Sequence, residues 1–160
     1  MHDPGRVPAS ELPATLEALP ELRPGLRFGW APANGSFLAH LSALIATWGE
    51  DRTRDWLRAL AQREPAPRRY PKNSAQVTAV SNDELDVGWV NHYYAHKLRA
   101  QRPDLRAANR AFPTAGDPGN LLIVAGIGVA APEGDRREGA LELARFLVSE
   151  GAPSRIAGKR

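Results

Sequence analysis

The chain has 160 residues, 42% of them hydrophobic and 24% charged, which is enough for one buried core and too apolar for a disordered segment. Its net charge of +3 comes from 21 basic and 18 acidic residues mixed along the chain, which excludes the clustered basic face of a nucleic-acid binder. With no cysteine, disulfides, thiolate metal centres and cysteine nucleophiles are excluded as well.

Residues 1–25 carry Pro4, Pro8, Pro13, Pro20 and Pro24 and read as a proline-rich arm with at most one short helix near SELPATLEAL. They show neither the basic n-region nor the apolar h-region of a signal peptide, so the chain reads as having no export signal. GLRFGWA (25–31) reads as a strand closed by Pro32, and ANGS as a turn into a helix with Phe37, Leu41, Leu44, Ile45 and Trp48 on one face. A second amphipathic helix, GEDRTRDWLRALAQR, presents Trp56, Leu57 and Leu60 and ends at Pro65 and Pro67. RRYPKNS is a short extended piece, and Asn73 or Ser74 is placed to cap the helix SAQVTAVSN. ELDVGWV (84–90) reads as a buried strand leading directly into NHYYAHKLRAQR, which is helical from Tyr94 and stops at Pro103. DLRAANRAF resembles an exposed strand, and NLLIVAGIGVA a buried one too short and glycine-rich to span a bilayer. GDRREGALELARFLVSE is a closing amphipathic helix with Leu141, Ala144, Phe146 and Leu147 inward. Strands alternating with helices imply an α/β architecture with a largely parallel sheet, residues 26–160 forming a single unit.

In open α/β sheets ligands gather beyond the carboxyl ends of the strands, at the amino ends of the following helices. Three segments end that way here. One runs into Asn34, Gly35 and Ser36, one into Asn73 and Ser74, and one into Asn91, His92, Tyr93 and Tyr94. Brought together, such helix starts would make an anion pocket with two phenols on its rim. Each residue also has a plainer reading. Asn34, Ser36, Asn73 and Ser74 are good helix caps, and Tyr93 and Tyr94 could be rim aromatics of a core. His92 and His96 stand at i and i+4, which suits zinc on one helical face, but without a third ligand they read better as solvated. His40, inside an apolar stripe, reads as a core or border residue. Arg68, Arg69 and Lys72 read as a solvated basic loop, and Asp83, Glu84 and Asp86 as loop carboxylates. No nucleophile elbow, zinc-protease helix, P-loop or dinucleotide fingerprint is present, so a binding module is favoured over an enzyme.

FGWAPANGSFLAHLSALIATWGEDRTRDWLRAL, YPKNSAQVTAVSNDELDVGWVNHYY, FPTAGDPGNLLIVAGIGV and EGALELARFLVSEGA, in that order, resemble the ferric-ion-binding proteins of bacterial iron ABC transporters. These are substrate-binding proteins of the type II periplasmic class, and the resemblance runs from about Leu12 to Ala152. The N-H-Y-Y quartet behind a V-G-W-V strand carries it most specifically, supported by D-P-G at 117–119. The resemblance implies a three-layer α/β/α lobe matching the second, carboxy-side lobe of the family, with the first lobe absent. It also implies an Fe(III) carrier that is not an enzyme. Tyr93 and Tyr94 would be the phenolate ligands, and a synergistic phosphate or carbonate would rest on Asn34, Gly35, Ser36, Asn73 and Asn91. Hard Fe(III) prefers anionic oxygen, which agrees with that role. The implied location is periplasmic or extracytoplasmic, the implied partners are ferric ion and an ABC permease, and an uncovered cleft face favours a homodimer. The alternatives are a lobe for an anion or small organic ligand, and a truncated domain with no ligand.

Overall fold

The computed structural model describes residues 1–122, 126–130 and 133–149. The chain divides into two compact units, Met1–Leu121 and Leu122–Arg160.

In the first unit the sheet is short, open and wholly parallel. Strands β1 (Phe28–Trp30), β2 (Arg68–Arg69) and β3 (Val87–Gly88) lie in the order β2-β1-β3. β1 pairs Gly29 with Arg68 on one side and with Gly88 on the other. Two further bonds prolong the ladder, Tyr70 N–H to the Trp30 carbonyl and Trp89 N–H to the Gly29 carbonyl, each 2.9 Å.

Side chains alternate across a strand, so successive residues of β1 serve different layers. Phe28 and Val87 join one core with helix α1 (Gly35–Trp48) and helix α2 (Glu50–Ala61), through Leu44, Trp56 and Leu60. The opposite layer holds α3 (Asn73–Ser81) and α4 (Tyr93–Arg99), with Val77, Val80, Leu85, Leu105 and Ala107 as its core. On this side the strands offer Gly29 and its partner Gly88. A Cβ on Gly29 would lie 2.6 Å from Leu85 Cδ2, and one on Gly88 would lie 3.4 Å from Gln76 Oε1. This glycine pair is a floor on which side chains of the second core sit close, Leu85 and Tyr70 over Gly29 and Gln76 over Gly88.

Residues 1–25, expected as an arm, contribute Val7, Leu16, Leu19 and Leu22 to the first core, each under 9% exposed. Two single 3-10 turns, Ala9–Glu11 and Leu19–Glu21, are their only helical structure. The prolines leave backbone carbonyls without local partners, and side chains from elsewhere supply them. Arg63 Nη1 donates to the Pro20 and Leu22 carbonyls at 3.0 and 2.6 Å, Arg110 Nη1 to Pro13 at 2.8 Å, and Trp56 Nε1 to Glu17 at 2.9 Å.

One expected strand does not form, and a second lies partly outside the described residues. Around DLRAANRAF only Ala108 bridges, antiparallel to His2, and Leu105 and Ala107 are buried instead of exposed. Of NLLIVAGIGVA, residues 123–125 lie outside the described ones. Leu121, Leu122 and Ile127 are exposed, and no described residue of the segment is in a strand. An apolar run becomes a buried strand only where a sheet edge accepts it, and its glycines add nothing to pack. In the second unit α5 (Asp135–Val148) forms where expected, but Leu143, Phe146, Leu147 and Val148 are exposed. Among the described residues no helix is long and apolar enough to cross a membrane.

The acidic group before β3 is also not mere loop solvation. Asp86 is 5% exposed and accepts from the Arg27 backbone N–H at 2.7 Å, Arg27 Nε and Nη2 at 2.9 Å each, and Arg6 Nη2 at 2.6 Å. Hydrogen bonding from the Arg27 side chain holds the Asp86 carboxyl down at about 2. A carboxylate depressed in the folded state stabilises it above the ordinary value near 3.8, and that contribution is lost as pH falls through about 2. Asp86→Ala is expected to cost about 2 kcal/mol at pH 7, less than a fully buried pair because Arg27 reaches solvent. Urea unfolding at pH 7 and pH 2 checks this: the difference between wild type and variant should shrink sharply at the lower pH.

Candidate functional site

All three strands run the same way, so their carboxyl ends open on one edge of the sheet. Three sets of polar residues follow those ends. After β1, Asn34 caps α1: its Oδ1 accepts from the Ser36 N–H at 3.0 Å and from the Ser36 hydroxyl at 2.6 Å. This is the expected cap. After β2 the outcome differs, because Lys72 occupies the cap position of α3 with no side-chain bond, and Asn73 is the first helical residue. The Asn73 amide is therefore free of capping and reaches across, Nδ2 donating to Ser36 Oγ at 3.2 Å. Asn73 is only 2% exposed. The starts of α1 and α3 are thus tied into one polar cluster of Asn34, Ser36 and Asn73.

The cluster continues inward to a residue that sequence reasoning passed over. Gln76, fully buried at 0% exposed, donates through Nε2 to Asn73 Oδ1 at 3.5 Å and to the Trp89 carbonyl at 3.1 Å. Polar spacing gave no hint of it, since a glutamine at i+3 within a helix usually faces water. A polar residue directly opposite a glycine-bearing strand was the one available signal.

Trp89 ends the third strand and is held from several sides. Its indole Nε1 donates to His40 Nδ1 at 3.1 Å, and its ring meets Phe37 edge-on at 4.8 Å between centroids. His40 in turn uses Nε2 to reach the Pro118 carbonyl at 2.7 Å. With Nδ1 accepting and Nε2 donating, the imidazole is neutral, and burial lowers its pKa in agreement. His40 is the border residue expected of it, and it locks the D-P-G turn to α1 and Trp89.

Two residues beyond this anchor the chain turns at Asn91, whose carbonyl accepts from the Tyr94 N–H at 3.2 Å. Tyr93 and Tyr94 open α4. Their rings stack at 4.5 Å between centroids with planes inclined by 29°. On a regular helix neighbours diverge by about 100°, so it is the helix start that lets these two converge. Tyr93 is 48% exposed, while Tyr94 packs partly against the second core. Hydrogen bonding to Tyr93, with lesser effects of burial and of the Tyr93 charge, pushes the Tyr94 phenol above its ordinary value.

His92 and His96 are both exposed, with ring centroids 6.5 Å apart, and Asn109 Nδ2 lies 3.3 Å from His96 Nε2. Among the described residues no three His, Cys, Asp or Glu side chains gather to hold a metal. Oxygen donors at this edge are the two phenols. Arg68 and Arg69 form the exposed edge strand β2, and Arg68 Nη1 donates to the Glu84 carbonyl at 2.6 Å.

No family model matches the chain. It is 31% identical over 125 residues to the major ferric iron-binding protein of Neisseria meningitidis, a match covering 78% of this chain and 37% of that protein. Against the Fe(3+)-binding periplasmic protein of Serratia marcescens it is 29% identical over 134 residues, 82% of this chain and 38% of the other. In three dimensions it is similar to iron-bound HitA from Pseudomonas aeruginosa, with a TM-score of 0.73 and 25% identity, over 94% of this chain and 48% of that one. The chain spans less than half the length of each of these proteins, a coverage that fits one lobe. In sequence and in its parallel α/β fold, the chain belongs with the ferric iron-binding periplasmic binding proteins, over the extent of a single lobe.

Proposed function

We propose that the chain is an Fe(III)-binding lobe of an ABC-transporter solute-binding protein, with iron as cargo and no catalytic step. Tyr93 and Tyr94 supply two phenolates, and phosphate or carbonate is the accompanying anion, seated on Asn34, Gly35, Ser36 and Asn73 with Asn91 alongside. The stacked tyrosine pair at the exposed start of α4 is the observation that carries this reading. Stacking brings the two phenols side by side, and a hard trivalent ion replaces protons on such oxygens. The linked starts of α1 and α3 support the anion, because both turn their positive dipole ends to the same edge. Relatives named as periplasmic and iron-binding support the compartment, and an ABC permease would take the cargo from there.

Two phenolates and one anion leave an octahedral ion short of donors. Water, the remainder of a two-lobed protein or a second copy of the chain must complete the shell. The same shortage motivates a homodimer across the tyrosine-bearing face.

Tyr93→Phe and Tyr94→Phe each remove one ionisable oxygen with little change of shape. Titrated with a chelated ferric salt in phosphate, wild type should develop a visible phenolate-to-iron charge-transfer band. Each variant should lose most of it and bind about a hundredfold or more weaker. Both variants retaining the band, or wild type never showing it, overturns the phenolate assignment. Phosphate binding without any band would favour an anion-binding lobe instead.

Binding of Fe(III) should also release protons, since a phenol ordinarily ionises only near pH 10 and a phenolate ligand has given up its proton. With two protons displaced, apparent affinity should fall by about a hundredfold per unit of decreasing pH. Chelator competition at pH 6 and pH 7, corrected for the chelator's own protonation, measures the slope. A slope near zero would mean that the phenols stay protonated and are not ligands.

A further inference from the structure

Gln76 raises a question that packing alone does not answer. It is wholly buried over the Gly29–Gly88 floor, yet its Oε1 has no hydrogen-bond partner. A buried amide oxygen left unpaired costs free energy, and methionine or leucine would fill a similar volume without that cost. What the apolar residues lack is the NH2 group, and its two acceptors are both oxygens, Asn73 Oδ1 and the Trp89 carbonyl.

That donor sets the direction of everything beyond it. Because Gln76 presents N–H, Asn73 must turn Oδ1 inward and Nδ2 outward. Asn73 Nδ2 then occupies an acceptor site of Ser36 Oγ, which obliges the Ser36 hydroxyl to donate to Asn34 Oδ1. The relay has one polarity, running from Gln76 to Asn34. Were Gln76 an acceptor, Asn73 would turn over and offer its oxygen to the cluster, where an anion would be repelled.

We infer that Gln76 is a positioning residue that orients the Asn73 amide N–H groups toward the start of α1 and so makes that cluster select an anion. The inference rests on the reading of Asn34, Ser36 and Asn73 as an anion seat, and it adds the buried residue that gives the seat its sign. Through the Trp89 carbonyl the same amide also ties the seat to the strand end that precedes Asn91 and the tyrosines.

The test uses the 160-residue chain titrated calorimetrically with inorganic phosphate in the absence of iron, as wild type, Gln76→Met and Gln76→Glu. Gln76→Met removes the donor at similar size, and Gln76→Glu replaces it with an acceptor of the same shape. Both are expected to weaken phosphate binding by about tenfold or more. The Asn73 side-chain amide resonances should shift in both before any phosphate is added. A purely structural role would lower the melting temperature and leave phosphate affinity of the folded protein unchanged. That result in either variant overturns the inference, and should Gln76→Met not fold, Gln76→Glu decides alone. If wild type binds phosphate and the variants bind it equally, the seat stands and only the role of Gln76 fails. If wild type does not bind phosphate, the seat itself is wrong and the inference falls with it.

Discussion

Parallel strands laid side by side must finish at one edge of their sheet, and the placement of every polar group discussed here depends on that constraint. β1 is the middle strand, and its central residue Gly29 pairs on both sides at once. Each strand is followed by a turn and a helix, so three helix starts are delivered to one edge without any of them having been selected to contact the others. The alternation of β1 then sorts the layers. Phe28 faces one core, while Gly29 faces the other and lets the Leu85 and Tyr70 side chains close on the strand. A residue with a side chain at position 29 would meet Leu85 Cδ2 at 2.6 Å and force that residue of the second core to shift.

Much of this was legible in the chain. Helical spacing placed α1, α2 and α5 within a residue or two, and the glycine- and tryptophan-bearing apolar runs placed β1 and β3. Asn34 was recognisable as a cap because capping is local, decided by the residue and the two that follow it. Asn73 was not, since its role depends on Ser36, 37 positions away in the chain. The burial of Asp86 was equally hidden. A carboxylate beside other acids reads as solvated until Arg27 and Arg6 are seen to converge on it from distant segments. The proline-rich opening misled for a related reason. Prolines do argue against helix, but they say nothing against burial once Arg63, Arg110 and Trp56 can satisfy the carbonyls that proline leaves open. Adjacent tyrosines were the exception among long-range features. Their pairing is a local oddity, and it pointed to the correct helix start before any contact was known.

The side chains of the proposed anion seat are polar but uncharged, which would suit a site that must be stable when empty. Asn34, Ser36, Asn73 and Gln76 are all neutral, and His40 behind them is neutral as well. Backbone N–H groups at the ends of α1 and α3 supply the positive potential instead. Such a site attracts an anion without carrying buried ions that would need partners in its absence.

Phenols extend the same economy to the metal. A pair of carboxylates at the positions of Tyr93 and Tyr94 would be ionised at neutral pH and would repel each other whenever iron was absent. Phenols, which ordinarily ionise only near pH 10, carry no such penalty, and these two stack at 4.5 Å. The cost is deferred to binding. Ionising an ordinary phenol at pH 7 takes about three units, or roughly 4 kcal/mol, and the bond between Tyr93 and Tyr94 moves the second phenol further in the unfavourable direction. Only a cation of high charge density can recover that on both oxygens, so a divalent ion with weaker Lewis acidity is disfavoured by the proton cost before size or geometry is considered. On the proposed phenolate assignment, selectivity for a trivalent ion would follow from that proton cost, which the neighbouring Tyr93 raises at Tyr94.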